Sequence, residues 1–149
     1  MGIYTKNHRN MFCFKRKRTI ASFKNTGVCP IIKATLFDKD ILLLVDTGSD
    51  VCYLDKEFFD SIDYSGELAP SKSVMGSQGE TASYGKVKTE VTIGNCSYEL
   101  PITLYRLKDR FSVFSNNPDE CPVGIIGGDF LFVYRIVIDY HHQTLSSYK

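Results

Sequence analysis

The stretch Ile41-Leu42-Leu43-Leu44-Val45-Asp46-Thr47-Gly48-Ser49 decides the reading of this chain. Five apolar residues run directly into Asp-Thr-Gly-Ser. A short continuous apolar run bounded by turn residues reads as a buried strand. A carboxylate at the end of such a strand is costly to bury unless it is paired or hydrogen-bonded. Thr47 and Ser49 carry hydroxyls able to donate to Asp46, and Gly48 lets the backbone turn tightly beside it. The segment reads as a carboxylate held firmly at the edge of a core.

A second stretch lies about eighty residues on: Val123-Gly124-Ile125-Ile126-Gly127-Gly128-Asp129-Phe130-Leu131. With the apolar strand and Asp-Thr-Gly before it, it resembles the retropepsin-like aspartic proteases, the branch with one such motif per chain. The resemblance spans residues 27–149. It implies an all-β fold, a closed β-barrel with one short helix near Asp129. It also implies that Asp46, Thr47 and Gly48 form the catalytic loop, and that Ser49 hydrogen-bonds the carboxylate. Ile125, Ile126 and Gly127 would pack beside that loop. Gly76, Ser77, Gln78 and Gly79 occupy the place of the family's flap, which folds over the substrate. The family's dimer is often sealed by a sheet of chain termini, and the long basic N-terminus here departs from that pattern.

Peptide hydrolysis of this kind takes two carboxyl groups sharing one proton, because like charges about 3 Å apart do not both ionise easily. This sequence has one Asp-Thr-Gly, and 149 residues are too few for two such lobes. The economical solution is a symmetric homodimer with one Asp46 from each subunit at the two-fold axis, acting on a peptide or protein substrate. By resemblance, Thr47 would lock the two loops across the axis. The expected function is an aspartic endopeptidase. Its rival is a non-enzymatic retropepsin-like domain that dimerises or binds peptides. A metal site at Asp46 and Asp50 is a further rival, but the spacing does not fit a calcium loop. No metal and no cofactor are expected.

The composition is ordinary for a globular domain, with 43% hydrophobic and 23% charged residues. The net charge of +1 conceals an asymmetry. Seven of the eighteen Lys and Arg precede residue 27, whereas the first acidic residue is Asp38. Residues 1–26 are therefore expected to be a basic flexible tail, and residues 27–149 the protease domain. Lys15-Arg16-Lys17-Arg18 makes nucleic acid a candidate partner of that tail, and a removable pro-segment is an alternative. The five Cys are odd in number and lack a Cys-x-x-Cys, which points to free thiols in a reducing, cytoplasmic setting. No apolar run approaches the roughly twenty residues of a membrane span.

Beyond Gly27 the pattern is short strands and turns. Residues 28–37 and 41–45 form a hairpin, and Asp55 is placed to cap a short helix. Val87, Thr89, Val91 and Ile93 alternate with polar neighbours, and after Gly94-Asn95 so do Tyr98, Leu100, Ile102 and Leu104. That period of two means a hairpin with one face in the core, and Pro101 places its strand at an edge. Residues 106–122 read as a polar loop. Residues 135–139 and 144–148 read as a terminal hairpin.

Overall fold

The computed structural model describes residues 16–25, 27, 29–71, 74–76, 79–81 and 83–148. In chain order the strands are β1 (Lys17–Ser22), β2 (Lys24–Asn25), β3 (Pro30–Leu36), β4 (Lys39–Val45) and β5 (Tyr53–Asp55). After helix α1 (Lys56–Asp60) come β6 (Val74–Gly76), β7 (Gly79–Thr81), β8 (Lys86–Ile93) and β9 (Cys96–Tyr105). Helix α2 (Lys108–Phe111), a 3₁₀ turn (Pro118–Glu120), β10 (Gly124–Ile126), α3 (Gly128–Val133), β11 (Val137–Asp139) and β12 (Thr144–Tyr148) complete the order.

The strands close on themselves. β3, β4, β10, β5, β9 and β8 follow one another in the main sheet, and β8 pairs back onto β3 through Thr35↔Thr92 and Leu36↔Val91. The result is a closed six-stranded barrel. β4–β10 and β5–β9 are its parallel pairs; the other pairings are antiparallel. Closure removes the exposed edges that an open sheet of this length would present. Ile32, Leu36, Leu54, Val87, Val91 and Leu104 fill the inside and are nearly inaccessible.

Two turns set the registers. Phe37 and Asp38 join β3 to β4 with φ of 50° and 59°, the pattern of a type I′ hairpin turn. Gly94 joins β8 to β9 with φ +59°, and a Cβ there would lie 2.2 Å from the Ile20 carbonyl oxygen. Only glycine fits that place. The alternation expected along β8 holds throughout. Along β9 it holds as far as Ile102, after which Thr103, Leu104 and Tyr105 are all buried. There β5 joins on the far side of β9, and an outer layer covers it. Pro101 lies before the β5 pairing begins, on a stretch bonded only to β8.

The expected boundary at residue 27 is corrected. Residues 1–15 lie outside the described residues, but β1 pairs with β12 from Lys17↔Tyr148 to Ser22↔Thr144. Ile20 and Phe23 are each 5% exposed within the main core. The dense positive charge of this segment masked two buried apolar residues that alternate with nothing recognisable. β1, β12 and β11 make a three-stranded sheet of chain ends, with β12 in the middle. Among the described residues no helix is long and apolar enough to cross a membrane.

Residues 106–122 are likewise more than a polar loop. Leu107 and Phe111 are buried in a second apolar cluster with Leu44 and Tyr105, outside the barrel. Asp55, only 5% exposed, anchors this layer. It accepts from Phe58 N–H at 3.1 Å, capping α1 as expected, and from Leu107 and Lys108 N–H at 2.7 and 3.0 Å. Three backbone donors satisfy the buried carboxylate.

Two predictions test these assignments. Phe23→Ala should destabilise the fold by about 3–5 kcal/mol in urea titration, as expected for a core aromatic; a tail residue would cost almost nothing. Asp139, bonded by the His142 backbone N–H and ring and approached by Lys17, has its carboxyl pKa lowered from 3.8 to about 2. The folded form is favoured by this depression above the unfolded pKa, and the contribution is lost as pH falls from 3.8 through about 2. Asp139→Asn should therefore lower the melting temperature near neutral pH and flatten its fall across that acid window.

Candidate active site

β4 ends at Val45, and the next residue, Asp46, leaves the barrel wall. Its N–H donates to the Ile126 carbonyl at 3.0 Å, the last rung of the parallel β4–β10 ladder. The chain then turns: Ser49 N–H donates back to the Asp46 carbonyl at 3.2 Å, and Gly48 N–H donates to Asp46 Oδ1 at 2.8 Å. The carboxylate is thus oriented by a backbone donor two residues on. It is half-buried, while Thr47 and Gly48 are exposed.

Ser49 differs from expectation. Its hydroxyl donates to the Val51 carbonyl at 2.8 Å rather than to the carboxylate, and so braces the returning arm of the loop.

The second motif packs where the sequence placed it. Ile125 and Ile126 lie across from Leu44 and Val45 in the β4–β10 register. Gly127 passes so close to the loop that a Cβ would sit 2.3 Å from the Val51 oxygen. Gly128 N–H donates to the Ser49 carbonyl at 2.6 Å and Asp129 N–H to that of Asp50 at 3.0 Å. The first turn of α3 therefore spends its free backbone donors on the loop carbonyls. Phe130 and Tyr134 anchor the rest of α3 against Tyr98, with ring centroids 5.1 and 4.8 Å away.

Two residues with no role assigned from sequence complete the clasp. The Asp129 carboxylate accepts from Cys52 N–H at 3.3 Å and from the Cys52 thiol at 3.0 Å. The Cys52 sulfur in turn accepts from Gly127 N–H at 3.3 Å. Burial, chiefly, and the Asp129 carboxylate push the Cys52 thiol well above its usual range, so it stays a neutral donor. Asp129 was visible as part of the second motif; Cys52 looked only like an apolar residue after the loop. A second thiol, that of Cys29, falls opposite Asp46 when the β3–β4 register is continued by two residues. Burial and then the charge of Asp46 raise its pKa.

Of the expected flap, Gly76 and Gly79 pair across the end of the β6–β7 hairpin. Ser77 and Gln78 lie outside the described residues. Among the described residues no three His, Cys, Asp or Glu side chains converge as metal ligands would.

No family model and no curated protein matches the sequence. Solved structures do. The chain is similar to the EIAV protease complexed with the inhibitor HBY-793, with a TM-score of 0.55 and 17% identity over 74% of this chain and 91% of that one. It is also similar to a retropepsin-like aspartic protease from Rickettsia conorii, with a TM-score of 0.60 and 17% identity over 90% and 92% of the two chains. These neighbours show that the fold is retropepsin-like.

The clasp makes a graded prediction. Asp129→Ala strands the buried Cys52 N–H and should cost about 1–3 kcal/mol. Gly127→Ala should cost more, because the Val51 carbonyl must move away from the new methyl group. Urea unfolding of the two variants checks the order.

Proposed function

We propose that this protein is an aspartic endopeptidase that acts as a homodimer, with the Asp46 carboxyls of two subunits sharing a proton at the two-fold axis. The observation that carries the reading is the held, half-exposed Asp46 carboxylate, fixed by Gly48 N–H on a loop clasped from behind by α3. The retropepsin-like fold supports the same reading, and the single Asp-Thr-Gly supports the dimer by stoichiometry.

In this mechanism a water molecule sits between the two carboxyl groups. The ionised one takes a proton from the water, whose oxygen attacks the scissile carbonyl carbon. The protonated one gives its proton to the carbonyl oxygen, yielding a gem-diol. Proton transfer to the amide nitrogen and breakage of its bond to carbon then release two peptides. The pair titrates as one unit rather than as two separate acids. Thr47, exposed beside Asp46, is assigned the contact between the two loops. The hairpin carrying Gly76 and Gly79 is assigned the cover that excludes water from the reacting bond.

Asp46→Asn removes the shared proton and should abolish peptide cleavage in a library assay across acidic to neutral pH while leaving fold and dimer intact. Retained turnover would take Asp46 out of the mechanism. Wild-type activity should rise more steeply than linearly with protein concentration near the dimer dissociation constant. A linear rise where sedimentation shows dissociation would assign the activity to a monomer.

A further inference from the structure

A pocket of about 490 Å³ opens where the end of α3 meets the start of β9 and the sheet of chain ends. It lies at the opposite end of α3 from the Asp46 loop, which the first turn of that helix clasps. Two arginines line it, Arg18 of β1 and Arg135 just beyond α3. Its described lining residues include no Asp or Glu. None of them enters the proposed peptidase chemistry.

Both guanidiniums lack a counter-charge. Among the described residues neither has a carboxylate within ion-pair distance. The carboxylates that follow closely in sequence are already taken. Glu99, next to Tyr98, pairs with Lys88, and Asp139, four residues after Arg135, pairs with Lys17 and His142.

The backbone at Arg135 is a second observation. α3 ends with Arg135 N–H donating to the Phe132 carbonyl at 3.2 Å and Ile136 N–H to that of Leu131 at 2.9 Å. This Schellman pattern puts the residue after the cap in the left-handed region, and Arg135 has φ +51°. Glycine is the usual occupant, because it has no Cβ to crowd the backbone there. Here an arginine holds the place at a conformational cost, and its side chain lines the pocket.

Arg18 enters from the other side. It stands opposite Ser147 in the β1–β12 register, and the Ser147 hydroxyl bonds that of Tyr98. Burial and then the Cys96 thiol raise the Tyr98 pKa, while the Ser147 bond and the nearby charge of Arg18 oppose them. Tyr98 and Ser147 are 7% and 6% exposed, so a buried pair of hydroxyls forms the floor between the two arginines.

Uncompensated guanidiniums beside hydroxyls are chemistry for an oxyanion. A carboxylate brings one charge and two oxygens, which a single guanidinium fork satisfies. A phosphomonoester brings a charge of about −1.5 to −2 at neutral pH and three acceptor oxygens, enough for two forks. The volume favours an ester over the bare ion, since about 490 Å³ lies within the range of roughly 300–1,000 Å³ typical of sites for small organic molecules. Val133 and Tyr148, also in the lining, are 66% and 41% exposed and offer an apolar surface and a ring to the organic part.

We propose that this pocket binds a small phosphomonoester, with its phosphoryl group held between Arg18 and Arg135 and a planar organic part resting on Val133 and Tyr148. A bound ligand ties β1 to the end of α3, so occupancy stabilises the folded chain by mass action. The site needs no peptidase activity to be filled.

Calorimetric titration of the full chain tests this with two esters, phenyl phosphate and adenosine 5′-monophosphate, against inorganic phosphate and benzoate. At least one ester should bind saturably, about tenfold or more tighter than either control, and raise the melting temperature. Arg135→Gly keeps the left-handed backbone and removes the guanidinium. It should melt no lower than the wild type yet weaken the ester about tenfold or more. Arg18→Gln, at an exposed position of β1, should weaken it to a similar degree. Absence of saturable ester binding to the wild type overturns the proposal. So does benzoate or inorganic phosphate binding as tightly as the better ester, or ester binding unchanged in both variants.

Discussion

The clasp between the loop after β4 and the first turn of α3 is the constraint on which the rest of the molecule depends. Gly128 and Asp129 give their N–H groups to the carbonyls of Ser49 and Asp50, and the Asp129 carboxylate takes the N–H and thiol of Cys52. A loop carrying a carboxylate away from a barrel wall has carbonyls that no strand can satisfy. A helix start has N–H groups that its own ladder cannot use. Each supplies what the other lacks. The contact must be made at backbone distance, which is why Gly127 can bear no side chain. The parallel β4–β10 pair follows from the same arrangement, since it brings both ends of the clasp to one end of the barrel.

The fold was legible where pattern and environment agree. β8 and β9 alternate because one face meets the core and the other meets water, and the run into Asp46 is continuous because Leu44 is covered from outside as well as Leu43 from inside. Legibility failed where a segment is buried by partners distant in the chain. Ile20 and Phe23 enter the core only because β12 lies beside β1, and their neighbours are basic. Leu107 and Phe111 are buried because Asp55, more than fifty residues earlier, holds the backbone at Leu107 and Lys108. No local period announces either event.

The site was legible in its residue types and less so in its bonds. Asp46, Gly48 and the Ile-Ile-Gly element stand where the motifs placed them. Ser49 was given the wrong acceptor, because a hydroxyl three residues from a carboxylate can turn toward it or toward a carbonyl two residues on, and residue type does not decide between them. Cys52 shows the opposite limit. A thiol is a small apolar side chain by composition and a hydrogen-bond donor by chemistry. Which of the two matters was fixed by Asp129, seventy-seven residues away.

Strand parity links core and site in one step. In β4 the odd positions Ile41, Leu43 and Val45 fill the barrel, so the even positions through Asp46 belong to the outer face. A slip of one residue would turn that whole set inward and drive the Asp46 carboxylate toward the apolar core. Such a register would leave a charge without donors in the core, at a cost no loop contact could offset. The type I′ turn at Phe37 and Asp38 fixes the hairpin against that slip, and the β10 pairing fixes it again from the other side. The apolar packing that stabilises the barrel is therefore also what presents Asp46 to one side of the molecule. Fold and candidate chemistry rest on the same alternation, and neither can shift without the other.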